Sequence, residues 1–256
     1  MKRFIVVGHK AATSGDFKLD DMAGGAGRLD ILLRCINSAL FLSHSIRRDT
    51  EIYLVLQGEP NPPRTIRVNG SEVRYLNPDE RSTGALVRNA LLKELDDEEI
   101  RSSPGIYVSK RSFVQVLDDL APVSRLVYLK EDGKDVREQA MDGDLTFVLS
   151  DHQDLTESEE AELIARDPLT VTLGPLSYHA DHCITVMTSP TSNSRWGRSR
   201  CLFLRSTISR LGSSETRRQV WSSLMGLRTS TTSLRGRRSR SNWSTSELRV
   251  RVVASR

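Results

Sequence analysis

The chain reads as an α/β protein on three observations: apolar extended runs alternate with segments of helical period, turn residues punctuate them, and no internal repeat is present. Extended runs are expected at 3–7, 51–56, 64–68, 125–129, 145–149 and 169–173, with helices at 28–44, 78–95, 112–120, 156–165 and 176–187 between them. The first helix shows its period most clearly. Leu29, Leu32, Leu33, Ile36, Leu40 and Phe41 share one face, and Arg34, Asn37 and Ser38 lie off it. Asn61-Pro62-Pro63 breaks the chain between two strands, as the loop of a hairpin-like excursion would. Thr156, with Glu159 three residues on, has the form of a capping box opening the helix at 156–165.

The net charge of +4 averages two segments of different chemistry. Residues 188–256 hold 15 Arg and two Glu, with no Lys, Asp or His, a balance of +13. The other 187 residues hold 22 basic and 31 acidic side chains, a balance of −9. A basic arm selected to hold RNA phosphates has use for both Lys and Arg. The absence of Lys beside so much Arg and Ser fits a shifted reading frame of GC-rich DNA better. Residues 1–187 are therefore taken as one domain, and 188–256 as an Arg/Ser-rich tail, disordered or a frameshift product.

Three separated cysteines (Cys35, Cys183, Cys201) form no disulfide framework, which suits a reducing interior. No apolar run approaches the roughly 20 residues needed to span a bilayer, and residues 1–8 are too short and too soon polar for a secretory segment. A soluble, cytoplasmic protein is expected.

Generic motifs are absent: there is no phosphate loop, no GxGxxG after a strand, no HExxH and no GxSxG. Gly24-Gly25-Ala26-Gly27 before a helix reads as a flexible turn. His179, His182 and Cys183 have the chemistry of zinc ligands but lack a fourth at suitable spacing, so no metal is expected. His44 and His152 read as loop or helix-end residues. Three consecutive strand ends run into polar or glycine-containing turns, at 128–133, 147–152 and 173–178. If those strands are parallel, their carboxyl ends converge on one crevice, which predicts a small-molecule site there.

The order of several short strings resembles the archaeal tRNA pseudouridine-54 N1-methyltransferases of the SPOUT superfamily. These are Gly27-Arg28-Leu29-Asp30, Phe41-Leu42-Ser43-His44-Ser45-Ile46-Arg47-Arg48-Asp49, Asn77-Pro78-Asp79-Glu80-Arg81-Ser82-Thr83, Ser103-Pro104-Gly105-Ile106, Leu149-Ser150-Asp151-His152 and His179-Ala180-Asp181-His182-Cys183-Ile184-Thr185. The resemblance covers nearly all of 1–187 and fails after Thr185. Family members continue the last helix there, whereas Thr188-Ser189-Pro190 ends it here.

The resemblance implies a SPOUT fold, a mostly parallel sheet with a C-terminal deep trefoil knot, in a homodimer. It implies S-adenosyl-L-methionine as cofactor, held by Leu129, Ser150, Leu173, Gly174, Pro175, Leu176, Ser177, Tyr178 and Cys183. Gly174 is expected where backbone approaches the adenosine, so that a side chain there would both obstruct binding and restrict φ. The implied partners are tRNA and a second copy of the chain, with no membrane and no DNA. Arg28, Arg47, Arg48 and Arg81 are the candidate RNA anchors; Asp30 and Asp79, with Asp181, are the candidate carboxylates for the N1 proton. Two alternatives stay open: a related enzyme acting on ribosomal pseudouridine, and a non-catalytic RNA-binding module.

Overall fold

A computed structural model describes residues 1–96 and 98–189. Backbone contacts divide the chain into Met1–Cys201 and Leu202–Arg256, and all described residues belong to the first unit. The tail at 188–256 lies outside the described residues apart from Thr188 and Ser189.

The elements run β1 (Lys2–Gly8), α1 (Leu29–Leu40), β2 (Thr50–Leu56), β3 (Arg64–Asn69), α2 (Glu80–Leu91), β4 (Ile100–Ser103), β5 (Ile106–Ser109), α3 (Phe113–Leu120), β6 (Arg125–Asp135), β7 (Leu145–Ser150), α4 (Glu157–Ile164), β8 (Leu169–Thr172) and α5 (Ala180–Thr188). One sheet orders them β4-β5-β3-β2-β1-β7-β6-β8. Pairing is parallel through β2-β1-β7-β6-β8 and antiparallel through β2-β3-β5-β4. The turn holding Asn61-Pro62-Pro63 makes the β2–β3 hairpin.

Both faces of the centre are covered, which is why β1 and β2 are apolar without alternation. Phe4 and Val6 face a core shared with α1, α2 and α5. Ile5 and Val7 face a second core built on Phe113, Val116, Leu117 and Leu120 of α3 and Leu163 of α4. Phe4 stacks on Phe147 across the β1–β7 pair, with ring centroids 5.1 Å apart.

Every expected strand and helix forms, with shifted ends. α1 stops at Leu40 because Phe41 turns extended and bridges Ile46. α2 begins one residue past Asp79, whose carboxylate accepts the Ser82 N–H at 2.7 Å. The Thr156/Glu159 capping box forms as read. α5 starts at Ala180, later than 176, and ends at Thr188 with Ser189 extended, as befits the residue before Pro190. β4 and β5 were not expected.

β6 is longer than expected and irregular. Leu129 and Lys134 both face Val171 of β8, so residues 130–133 loop out of the pairing. A Cβ on Gly133 would lie 2.5 Å from the Val171 carbonyl carbon. The loop therefore closes back on β8 through backbone contact that only glycine permits. Among the described residues, no helix is long and apolar enough to cross a membrane.

Candidate functional site

The turns beyond the carboxyl ends of β7, β6 and β8 do converge. They form a cleft whose lining includes Leu129, Ser150, Leu173, Leu176, Ser177, Tyr178 and Cys183, seven of the nine residues expected to hold a cofactor. The looped-out part of β6 supplies Lys130 and Glu131, the β7 turn supplies Asp151, Gln153 and Asp154, and α5 adds Ala180. Ser177 Oγ donates to Glu131 at 2.6 Å, joining the first wall to the third. Lys130 pairs with Glu160 of α4. Ser150 Oγ donates to the Gln153 carbonyl and holds the second turn closed.

Gly174 and Pro175 belong to the same loop but are not among the lining residues. Gly174 has φ +136°, a value side chains rarely adopt, while a Cβ there would meet nothing within 4 Å. Conformation, and no crowding by the chain itself, demands glycine at this position. Cys183 Sγ faces the Tyr178 carbonyl at 3.7 Å. Burial, reinforced by the Asp181 charge, pushes its thiol up to about 11, so it stays protonated at neutral pH.

Beside the cleft lies a charge cluster that motif reading missed. His9, just past β1, contacts Asp151 through Nδ1 at 3.3 Å and Glu159 through Nε2 at 3.0 Å. Its backbone N–H also donates to Asp151 Oδ2 at 3.1 Å. Hydrogen bonds to Asp151 and then Glu159 raise the imidazole to about 9. Burial alone would lift Glu159, yet hydrogen bonds from His9, Gln57 and the Thr156 backbone hold it at about 2. Asp151 is held low by the same balance, with burial opposed by His9 and the Gln153 N–H. The available signal was position: β1 is a central parallel strand, and His9 stands at its carboxyl end.

The candidate RNA residues fall into two groups. Arg28 Nε lies 3.1 Å from Asp30, whose carboxylate also meets Arg34 at 3.3 Å. Arg34 reaches Glu80 of α2 at 3.7 Å, and Arg81 pairs with Asp20, so Arg28, Asp30, Asp79 and Arg81 share the α1–α2 side. Asp30 chiefly, and Asp151 more weakly, raise the Arg28 guanidinium above its ordinary value. Arg47 and Arg48 lie beyond the other end of α1, about 18 Å along a helix of 12 residues. Arg47 donates to the Phe41 carbonyl at 3.1 Å and Arg48 to the Gly70 carbonyl at 3.0 Å. Asp181 opens α5 near the buried Cys35 of α1.

The His179 and His182 rings meet edge to face at 5.7 Å. Among the described residues, no group of three or more His, Cys, Asp or Glu is arranged to hold a metal ion.

Residues 1–195 match the family described as "Putative SAM-dependent RNA methyltransferase". The chain is 52% identical over 188 residues to the tRNA (pseudouridine(54)-N(1))-methyltransferase of Methanocella arvoryzae, covering 73% of this chain and 96% of that one. It is 49% identical over 189 residues to the protein of the same name from Haloferax volcanii, covering 73% and 93%. Among solved structures, Archaeoglobus fulgidus Nep1 bound to S-adenosylhomocysteine superposes with a TM-score of 0.54 at 16% identity, over 76% of this chain and 99% of that one. That likeness establishes that the chain shares the mixed α/β fold of that structure. Identity near half, over almost the whole length of these relatives, places the chain in the tRNA (pseudouridine(54)-N(1))-methyltransferase family.

Proposed function

We propose that this chain methylates N1 of pseudouridine at position 54 of tRNA, with S-adenosyl-L-methionine as methyl donor, giving N1-methylpseudouridine. The observation that carries the reading is the cleft at the carboxyl ends of β7, β6 and β8, in a chain of this family. Its chemistry fits the donor. Leu149, Leu155, Val171 and Leu173 offer apolar walls for an adenosine, and Glu131, Asp151 and Asp154 outnumber Lys130 among the charges, which favours a cationic sulfonium. The cofactor, when bound, supplies a methyl group on positively charged sulfur, which leaves as a neutral thioether.

The protein's part is orientation and proton handling. Asp30 is the acceptor we propose for the N1 proton, because its carboxylate is held in place by Arg28 and Arg34 in the first turn of α1. Asp79 is the second candidate. It is committed to capping α2, and the Ser82 hydrogen bond holds its carboxyl below the usual range, which weakens it as a base. Arg28 and Arg81 would anchor phosphate near the base, and Arg47 and Arg48 more distant parts of the tRNA.

We further infer a trefoil knot, in which 173–178 threads a loop before α5. Supporting it, α5 follows the edge strand β8 yet packs on α1 and β1 at the sheet centre. A homodimer would cover Leu176 and Tyr178, which are large, apolar and exposed. Residues 1–187 would be the catalytic domain, acting in the cytoplasm, with no DNA or membrane partner. The test compares tRNA carrying pseudouridine at position 54 with the same tRNA carrying uridine. Uridine N1 is committed to the glycosidic bond, so only the first is expected to gain a methyl group. Equal methylation of both would overturn the reading.

A further inference from the structure

His9 joins three elements that the sequence keeps far apart. It follows β1 directly, while Asp151 lies in the turn after β7 and Glu159 in the first turn of α4, 142 and 150 residues away. The side chains of His9, Asp151 and Glu159 are 10%, 2% and 12% exposed. Asp151 is the hub of its turn, taking the Gln153 N–H at 2.9 Å as well as two bonds from His9. That turn is one wall of the cleft, since Ser150, Asp151, Gln153, Asp154 and Leu155 all line it.

The geometry dictates the charge state. A neutral imidazole carries one N–H, so it can satisfy only one of two carboxylates and must set a lone pair against the other. Both ring nitrogens here face carboxylate oxygens within 3.3 Å. Only the doubly protonated ring donates to both.

We propose that His9 is a positioning residue for cofactor binding, its imidazolium clamping the 150–155 wall of the cleft between β1 and α4. This rests on the cleft being the S-adenosylmethionine site. The groups facing the ring are Asp151 from the β7 turn and Glu159 from α4. Beyond them, Gln57 at the end of β2 donates to Glu159, His152 Nδ1 lies 3.5 Å from Asp151, and Arg28 acts on Asp151 from the start of α1. Because the folded imidazole is raised from 6.5 to about 9, the clamp is complete below the ordinary histidine range and lost as pH rises through about 9. Cofactor affinity follows that titration.

The experiment is calorimetric titration of the full chain and of His9→Gln with S-adenosylhomocysteine, in matched buffers from pH 7 to pH 10.5. The ligand's own amine titrates equally in both proteins, so the ratio of their dissociation constants isolates His9. The expected ratio is about tenfold at pH 7.5. It falls toward one above pH 9. A ratio of one throughout, or a ratio that does not change with pH, overturns the proposal, because a purely packing role carries no titration. If His9→Gln fails to fold, Glu159→Gln replaces it. Removing one facing carboxylate is expected to move the pH at which wild-type affinity breaks downward by about one unit. An unmoved break overturns the proposal equally. Absence of wild-type binding at every pH would instead remove the cofactor reading beneath it.

Discussion

The two halves of the sheet use polar residues in opposite ways. In the antiparallel half, charges are paired across the sheet itself. Arg67 of β3 pairs with Glu99 and lies 3.5 Å from Glu51, while its guanidinium sits 4.1 Å over the Tyr107 ring of β5. In the parallel half the strand centres are apolar; beyond the Arg3–Glu51 pair that joins β1 to β2 at 3.2 Å, charges collect at the cleft end, at His9, Lys130, Glu131 and Asp151. Two of the three antiparallel pairs, β2–β3 and β4–β5, return through turns that keep their polar groups on the sheet. Parallel neighbours need crossovers, which leave three strand ends open side by side. One architecture yields a closed network and the other a cleft.

Two glycines break this comparison most sharply, one in each half. A Cβ on Gly133 would fall 2.5 Å from the carbonyl carbon of Val171, which lines the cleft, and a Cβ on Gly105, at φ +74°, would fall 2.3 Å from the Val73 nitrogen. Alanine at either position is expected to cost about 3 kcal/mol in denaturant unfolding. Gly133→Ala is also expected to weaken S-adenosylhomocysteine binding more than tenfold in the population that remains folded, whereas Gly105→Ala leaves it within twofold. Equal losses of affinity would mean that the halves are not functionally separate.

The same contrast explains what was legible in the sequence. The central strands and α1 announced themselves because burial on two faces, or on one helical stripe, leaves a strong apolar pattern. β4 and β5 are only four residues each, and Arg101-Ser102-Ser103 is polar, so no run marked them. The Pro104-Gly105 turn between them was visible but carried no strand on either side to join. The cleft was legible because its parts are consecutive strand ends. His9 was not, because its partners are more than 140 residues away and pairing at that distance leaves no local trace. Asp79 was read as a candidate base, although an aspartate three residues before a helical N–H has the form of a cap.

The carboxylates extend the comparison to catalysis. Asp30→Asn keeps the shape of the side chain and removes its basicity. If Asp30 accepts the N1 proton, the single-turnover methylation rate is expected to fall about a hundredfold. Cofactor and tRNA affinities would stay near wild type, since the interaction matters chiefly in the transition state. A wild-type rate would remove Asp30 from the reaction.

The arginines test whether both ends of α1 meet RNA. Replacing Arg28, Arg48 or Arg81 singly by Ala is expected to weaken tRNA binding severalfold and to reduce the slope of log affinity against log salt by about one. Arg28 and Arg81 lie on the α1–α2 side, and Arg48 lies beyond the other end of α1. A slope unchanged for Arg48→Ala alone would confine the tRNA footprint to the α1–α2 side. Its bonds to the Gly70 and Ser71 carbonyls would then be its whole role.

Asp79→Ala gives the smallest effect and separates capping from chemistry. The lost bond to the Ser82 N–H is expected to lower the denaturant midpoint slightly. Asp79→Asn and Asp79→Ser retain an acceptor at the same place and are expected to recover most of that loss. Acid is a second probe. The folded carboxyl lies below its ordinary value, so the cap's contribution is present above the usual aspartate range and fades as pH falls through the lowered value. If Asp79 only caps α2, methylation by Asp79→Asn runs at the wild-type rate while Asp30→Asn does not. If instead Asp79→Asn loses the rate and keeps the stability, the base lies at the start of α2, and the assignment to Asp30 falls.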